Sequence, residues 1–194
     1  MGRVGDWGMP TRNLIFVAFV EPVAEGQVFP RADWPLHITL VRFDLRYDAG
    51  AAATTGATGT GTGTRDAADT AERIAALADA PAAAALGAAL RLGEDAAFGR
   101  NGSVPVSLIE PQQDLQGLHG QLVAVVGSVD GRILTPAHTL AGYRPHVSHH
   151  GGKRLHPGDA VVLDRVALVD MAPGGDHAIR RASGCGAAKV KARR

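Results

Sequence analysis

At 194 residues, with 45% hydrophobic and 20% charged side chains, the chain is long enough to bury one proper core and is expected to form one domain of at most two lobes. Its single cysteine, Cys185, excludes an intramolecular disulfide framework. The formal net charge of +1 hides a split, because residues 1–179 sum to −5 while residues 180–194 carry six Lys and Arg and no acid. A mildly acidic body lacks the basic stripe of a duplex reader, so no duplex-DNA binding is expected.

Residues 13–20 (NLIFVAFV) are aliphatic and aromatic throughout and predict a buried strand. The run is too short to cross a membrane, and no small-residue cleavage site precedes Glu21 and Pro22; a cytoplasmic protein without membrane contact is expected. Residues 36–45 predict a second strand, with His37, Thr39, Val41 and Phe43 on one side and Leu36, Ile38 and Leu40 on the other, facing helices.

Residues 49–64 (AGAAATTGATGTGTGT) have neither charge nor large apolar groups to repay ordering, so a flexible insertion loop is expected rather than a phosphate cradle. Helical spacing resumes at Arg65 through Ala71, Ile74 and Ala78 until Pro81, which is expected to stop the helix.

Strands are predicted at 88–92 and 104–109, parted by the turn-forming Gly99-Arg100-Asn101-Gly102. Pro111 opens a helix with Leu115, Leu118 and Leu122 on one face and Gly127 near its end; His119 falls beside that stripe as a core or boundary histidine. Strands follow at 143–148 and 160–169. Residues 1–173 thus form the expected domain, and residues 174–194 a basic, disordered tail.

Two of these strands carry the same short pattern, His37-Ile38-Thr39 and His146-Val147-Ser148, each just after a proline and 109 residues apart. Composition alone would supply about 0.3 such motifs; two occur. Alternation along a strand puts each histidine and its hydroxyl residue on one face, so two imidazoles and two hydroxyls can line one cleft. Imidazole titrates near neutrality and serves as either acid or base, and the hydroxyls can donate to phosphate oxygens whose charge grows as phosphorus becomes five-coordinate. Arg144 can neutralise a phosphate or be a surface charge. His150 shares the face of His146 and Ser148 and is expected to extend the cleft, whereas His149 points the other way. His146, His149, His150 and His156 do not make a zinc set, because His146 and His150 lie about 13 Å apart along a strand and no Cys or acid completes it, so no metal and no cofactor are expected.

The segments WPLHITLVRF and YRPHVS resemble the first and second motifs of the two-histidine (2H) phosphoesterases, notably the branch of 2′,5′-RNA ligases or RNA 2′,3′-cyclic phosphodiesterases. The likeness spans residues 13–170, including VSLIEPQQDLQGLHGQLVAVV between the motifs. It implies a two-lobed α+β fold, with antiparallel sheets facing a central cleft and helices outside. It also implies a phosphoric diester hydrolase that opens 2′,3′-cyclic phosphate ends of RNA, or a related small cyclic nucleotide, to a 2′-phosphate, with ligation as the reverse reaction. By the same resemblance His37 is the general acid and His146 the general base; Thr39 and Ser148 are expected to bind phosphate, and the protein is expected to act as a monomer on RNA ends or cyclic-phosphate nucleotides. His149 and His150 after the second motif, the Thr/Gly loop and the basic tail depart from the pattern. A non-catalytic module that binds nucleotides or RNA ends is the alternative reading, and an interaction protein acting through its tail a third.

Overall fold

The computed structural model describes residues 11–46 and 62–187. In chain order they form β1 (Thr11–Phe19), β2 (Val28–Pro30), β3 (His37–Arg46), α1 (Thr62–Ala85), β4 (Ala89–Phe98), β5 (Val104–Ile109), α2 (Gln113–Ser128), β6 (Arg132–Ile133), β7 (His146–Ser148), β8 (Ala160–Val162), β9 (Arg165–Asp170) and β10 (Ile179–Ala187). The strands follow one path, β2-β10-β9-β1-β3-β7-β5-β4-β8, with β6 attached to β3. Every strand pairing among the described residues is antiparallel. The class is α+β, with the two helices packed on each other and against the sheet.

Strand β1 explains why its sequence is apolar at consecutive positions. Leu14, Phe16 and Ala18 enter the main core with Ile38, Phe43, Ile74, Leu115, Leu118 and Leu122. Ile15, Val17 and Phe19 enter a smaller cluster on the other face with Val23, Phe29, Ala167, Val169 and Ala182. Burial on both faces removes the polar alternation of a half-exposed strand, and each large side chain so buried contributes about 1.5–3 kcal/mol. The main core includes a stacked contact between Phe16 and Phe43, with centroids 5.7 Å apart.

The halves β2-β10-β9-β1-β3 and β7-β5-β4-β8 meet edge to edge between β3 and β7, where one residue pair, Ile38 with Val147, carries the register. The two repeated motifs are therefore neighbouring strands in the middle of the sheet.

Several expectations from the sequence need correction. The tail is not disordered from residue 174: Ile179–Ala187 is strand β10, paired with β2 on one side and β9 on the other. Its composition, IRRASGCGA, carries little strand propensity, and two neighbouring strands supply the hydrogen bonds that hold it. Of the expected loop at 49–64, residues 49–61 lie outside the described residues, and Thr62 already belongs to α1.

Helix α1 also runs through Pro81 to Ala85. The carbonyl that Pro81 cannot serve belongs to Leu77, which is 49% exposed, so water can satisfy it; Ala82 and Ala85, beyond the proline, are buried in the main core. The single strand expected at 160–169 is two, β8 and β9, broken at Leu163 and Asp164. Leu163 exchanges main-chain bonds with Gly87 and Ala88 as the chain leaves β4 for β1. No helix among the described residues is long and apolar enough to cross a membrane.

Candidate active site

The face that a β3 side chain occupies is set by a bulge that strict alternation could not anticipate. Phe16 pairs with Val41 and Val17 with Thr39, so Leu40 has no opposite number on β1. The extra residue switches parity. Ile38 and Leu40 point into the main core as expected, but so do Val41, Phe43 and Leu45. His37 and Thr39 therefore share the opposite face with Arg42 and Asp44, and the expectation that Val41 and Phe43 would accompany the histidine is overturned.

Across the seam, Ile38 and Val147 are both fully buried and mark the core side of their strands. Their neighbours His37, Thr39, His146 and Ser148, all partly exposed, project from the other face. Antiparallel pairing of Ile38 with Val147 sets His37 opposite Ser148 and Thr39 opposite His146. The two motifs are thus related by a local twofold normal to the sheet, with the histidines on one diagonal and the hydroxyls on the other. Residues directly opposite on neighbouring strands lie about 5 Å apart at Cβ, a span that one tetrahedral phosphate can bridge.

Each imidazole is held the same way. Nδ1 of His37 lies 2.8 Å from the Pro35 carbonyl, and Nδ1 of His146 lies 2.8 Å from the Arg144 carbonyl. A carbonyl only accepts, so both Nδ1 atoms carry hydrogen. Nε2 is then the atom that gains or loses a proton. The acceptor stands two residues before the histidine in each motif, with Pro35 as that residue in the first and Pro145 between them in the second. Proline keeps this stretch extended and brings the carbonyl under the ring.

The two rings have different surroundings. His37 lies 4.3 Å from the Trp34 ring and 6.1 Å from Phe19, by centroids. His146 lies edge-on to Phe98 at 4.7 Å, and the Arg144 guanidinium covers that phenyl ring at 5.0 Å. Burial pushes His37 down to about 4, against the support of its Pro35 bond and with added repulsion from the neighbouring His146 and His150 rings when they are protonated. Burial also lowers His146, and the Arg144 charge adds to it. Both imidazoles are consequently neutral at pH 7 in the free protein.

Arg144 is exposed beside His146, where a bound anion would meet its charge. His150 reaches the same side as His37, and its Nε2 donates to the Ala32 carbonyl at 2.7 Å. Lys153, paired with His150 across a Gly151-Gly152 turn, lies 3.5 Å from Asp33 and 3.6 Å from Glu21. These contacts fasten the segment after the second motif to the loop that presents Trp34. His149 turns to the opposite face, where its Nε2 lies 2.9 Å from the Ser107 hydroxyl. Among the described residues no three His, Cys, Asp or Glu side chains converge in a metal-binding group.

Trp34 and Phe98 escaped sequence reasoning, although Trp34 stands three residues before His37. Their cue was aromatic character beside a motif, which does not reveal that the rings flank it. His119 is the fully buried core histidine that its helix position predicted.

No protein family and no curated protein matches this chain. Among solved structures it is similar to a protein described as a phosphoesterase, at 14% identity over 90% of this chain and 95% of that one, with a TM-score of 0.49. It is also similar to E. coli LigT complexed with NADP+, at 14% identity, 89% and 98% coverage and a TM-score of 0.48. A third similar structure is E. coli LigT complexed with 3′-AMP, at 14% identity, 83% and 88% coverage and a TM-score of 0.46.

Proposed function

We propose that this protein is a phosphodiesterase of the two-histidine type that hydrolyses a 2′,3′-cyclic phosphate, at an RNA end or on a small nucleotide, to a 2′-phosphate. The observation that carries the reading is the Ile38–Val147 pairing, which sets two Nδ1-anchored imidazoles and two hydroxyls on one face of the sheet.

The neutral base histidine takes a proton from water through Nε2 as the water oxygen bonds to phosphorus. The P–O3′ bond breaks, and the acid histidine gives its Nε2 proton to O3′, leaving a 2′-phosphate and a 3′-hydroxyl. Following the family resemblance, His37 is the acid and His146 the base. Because both rings are neutral in the free site, the acid acquires its proton when the anionic phosphate arrives and stabilises the imidazolium. Thr39 and Ser148 donate to the non-bridging oxygens from opposite corners, and Arg144 adds positive charge beside His146. Trp34 on one flank, and Phe98 under Arg144 on the other, offer surfaces for a nucleobase. Acid, base and charge stabilisation all come from side chains of this chain, so no cation is required.

The test is a panel of cyclic-phosphate substrates incubated with EDTA, with product regiochemistry read by phosphorus NMR. A 2′-phosphate product formed under EDTA supports the reading. Activity abolished by EDTA and restored by zinc or manganese would overturn it, and tight binding without turnover would make the protein a nucleotide-binding module.

A further inference from the structure

The bulge that follows Thr39 leaves two main-chain carbonyls whose partners come from outside the strand ladder. Beyond Ile38, β3 has no β7 partner, and it pairs with β6 only from Phe43. In the gap the Tyr143 hydroxyl donates to the Thr39 carbonyl at 3.0 Å, and Nδ1 of His119 donates to the Leu40 carbonyl at 2.8 Å. The two rings are stacked, with centroids 3.8 Å apart and planes within 3°.

His119 is fixed from both ends. Its Nε2 accepts from the Leu140 main-chain N–H at 2.8 Å, so the ring is the neutral Nδ1–H form and nothing else fits both partners. Burial lowers its affinity for a second proton and holds the Tyr143 phenol in its protonated, donating state. Leu140 itself has φ 53°, a left-handed conformation unfavourable for leucine, although the residue is 52% exposed and is not held by core packing. Its N–H to His119 and its carbonyl, which accepts from Gln116 at 2.9 Å and from the Tyr143 N–H, hold it there. The unit thus runs from α2 to the bulge in the first motif and to the segment three residues before His146.

We infer that His119 and Tyr143 are positioning residues that lock the Leu40 bulge and thereby aim the Thr39 hydroxyl at the phosphate. The inference rests on the function proposed above, since it is Thr39 that meets the substrate.

A double-mutant cycle tests it. Wild type, Tyr143→Phe, Thr39→Ala and the double variant are assayed on a 2′,3′-cyclic mononucleotide, and their affinity for inorganic phosphate is measured by NMR titration. Tyr143→Phe removes one oxygen and should lower kcat by about 3- to 30-fold, the scale of one hydrogen bond that bears on developing charge, with KM changed less than twofold. In the Thr39→Ala background the same change should have no further effect. His119→Asn, which keeps a donor where Nδ1 stood, should retain more activity than His119→Leu. Multiplicative losses for Tyr143→Phe and Thr39→Ala, or equal losses for the two His119 variants, would overturn the positioning role. Wild type without turnover would refute the phosphodiesterase reading alone, and the cycle on phosphate affinity would still decide the coupling: phosphate affinities that change independently for the two substitutions count against it.

Discussion

Ile38 and Val147 face each other across the seam between β3 and β7 and disappear completely into the core; everything chemical about the site follows from what this pair forces upward. Their neighbours have no choice of face. Two histidines and two hydroxyls emerge on alternating corners of a patch two strands wide.

The acid–base pair should act as a unit. His37→Ala and His146→Ala are each expected to slow turnover by roughly 10²- to 10⁴-fold, and the double variant should be far less impaired than the product of the two. Thr39→Ala and Ser148→Ala, which remove a hydrogen bond and leave proton transfer intact, should cost about 10- to 10³-fold. Steady-state kinetics on one cyclic nucleotide checks all five proteins, and a His37→Ala variant with normal turnover would leave only a binding role.

The pH dependence has a definite sign. kcat/KM reports the free protein, in which burial lowers both histidines, His37 to about 4. One ring must be protonated and the other neutral, so log kcat/KM should trace a bell whose optimum lies below pH 6.5. The bound phosphate anion raises the histidines, which moves the kcat bell to higher pH. Coincident optima, or a rate independent of pH, would contradict this account.

Stability should carry the same signature. His37 is lowered to about 4 in the folded protein from about 6.5 in the unfolded chain. Between these values the unfolded chain binds more protons, so stability falls as pH drops from 6.5 toward 4 and is unaffected by this group above that window. The contribution at the acid end is at most about 3 kcal/mol. Urea melts of wild type and His37→Asn over this range should show the steeper loss in wild type.

His150 offers a separation of binding from chemistry. Its bond to the Ala32 carbonyl ties the end of the second motif to the loop bearing Trp34, so His150→Ala should raise KM several-fold and leave kcat within about threefold. A loss of kcat as large as that of His146→Ala would mean that the imidazole takes part in proton transfer.

Much of this was legible in the sequence, residue by residue. The strands at 13–20 and 104–109 and a helix just after Pro111 follow from apolar content and helix signals, and the structure has β1, β5 and α2 there, with α2 starting at Gln113 behind a Gln112 cap rather than at the proline. His119 was expected in the core or at its boundary from its position beside Leu115, Leu118 and Leu122, and it is fully buried. Strand β10 was illegible because its adjacent arginines and its small residues, two of them glycines, match no strand pattern, and only the flanking β2 and β9 make it one. The unit of His119 and Tyr143 was equally hidden, since its bonds to Leu40 and Thr39 span 79 and 104 residues.

Local covalent geometry alone determined that His37 shares a face with Thr39, and His146 with Ser148, because successive side chains on a strand must point to opposite sides. The sequence also showed a proline just ahead of each histidine, though only the structure shows the Pro35 and Arg144 carbonyls against the Nδ1 atoms. That the two motifs lie side by side, and that the bulge at Leu40 sends Val41 and Phe43 into the core while Thr39 stays out, was decided only by tertiary structure. Those outcomes depend on which apolar faces are buried together and which distant groups satisfy the freed carbonyls, and such pairings join residues that no short window of sequence contains.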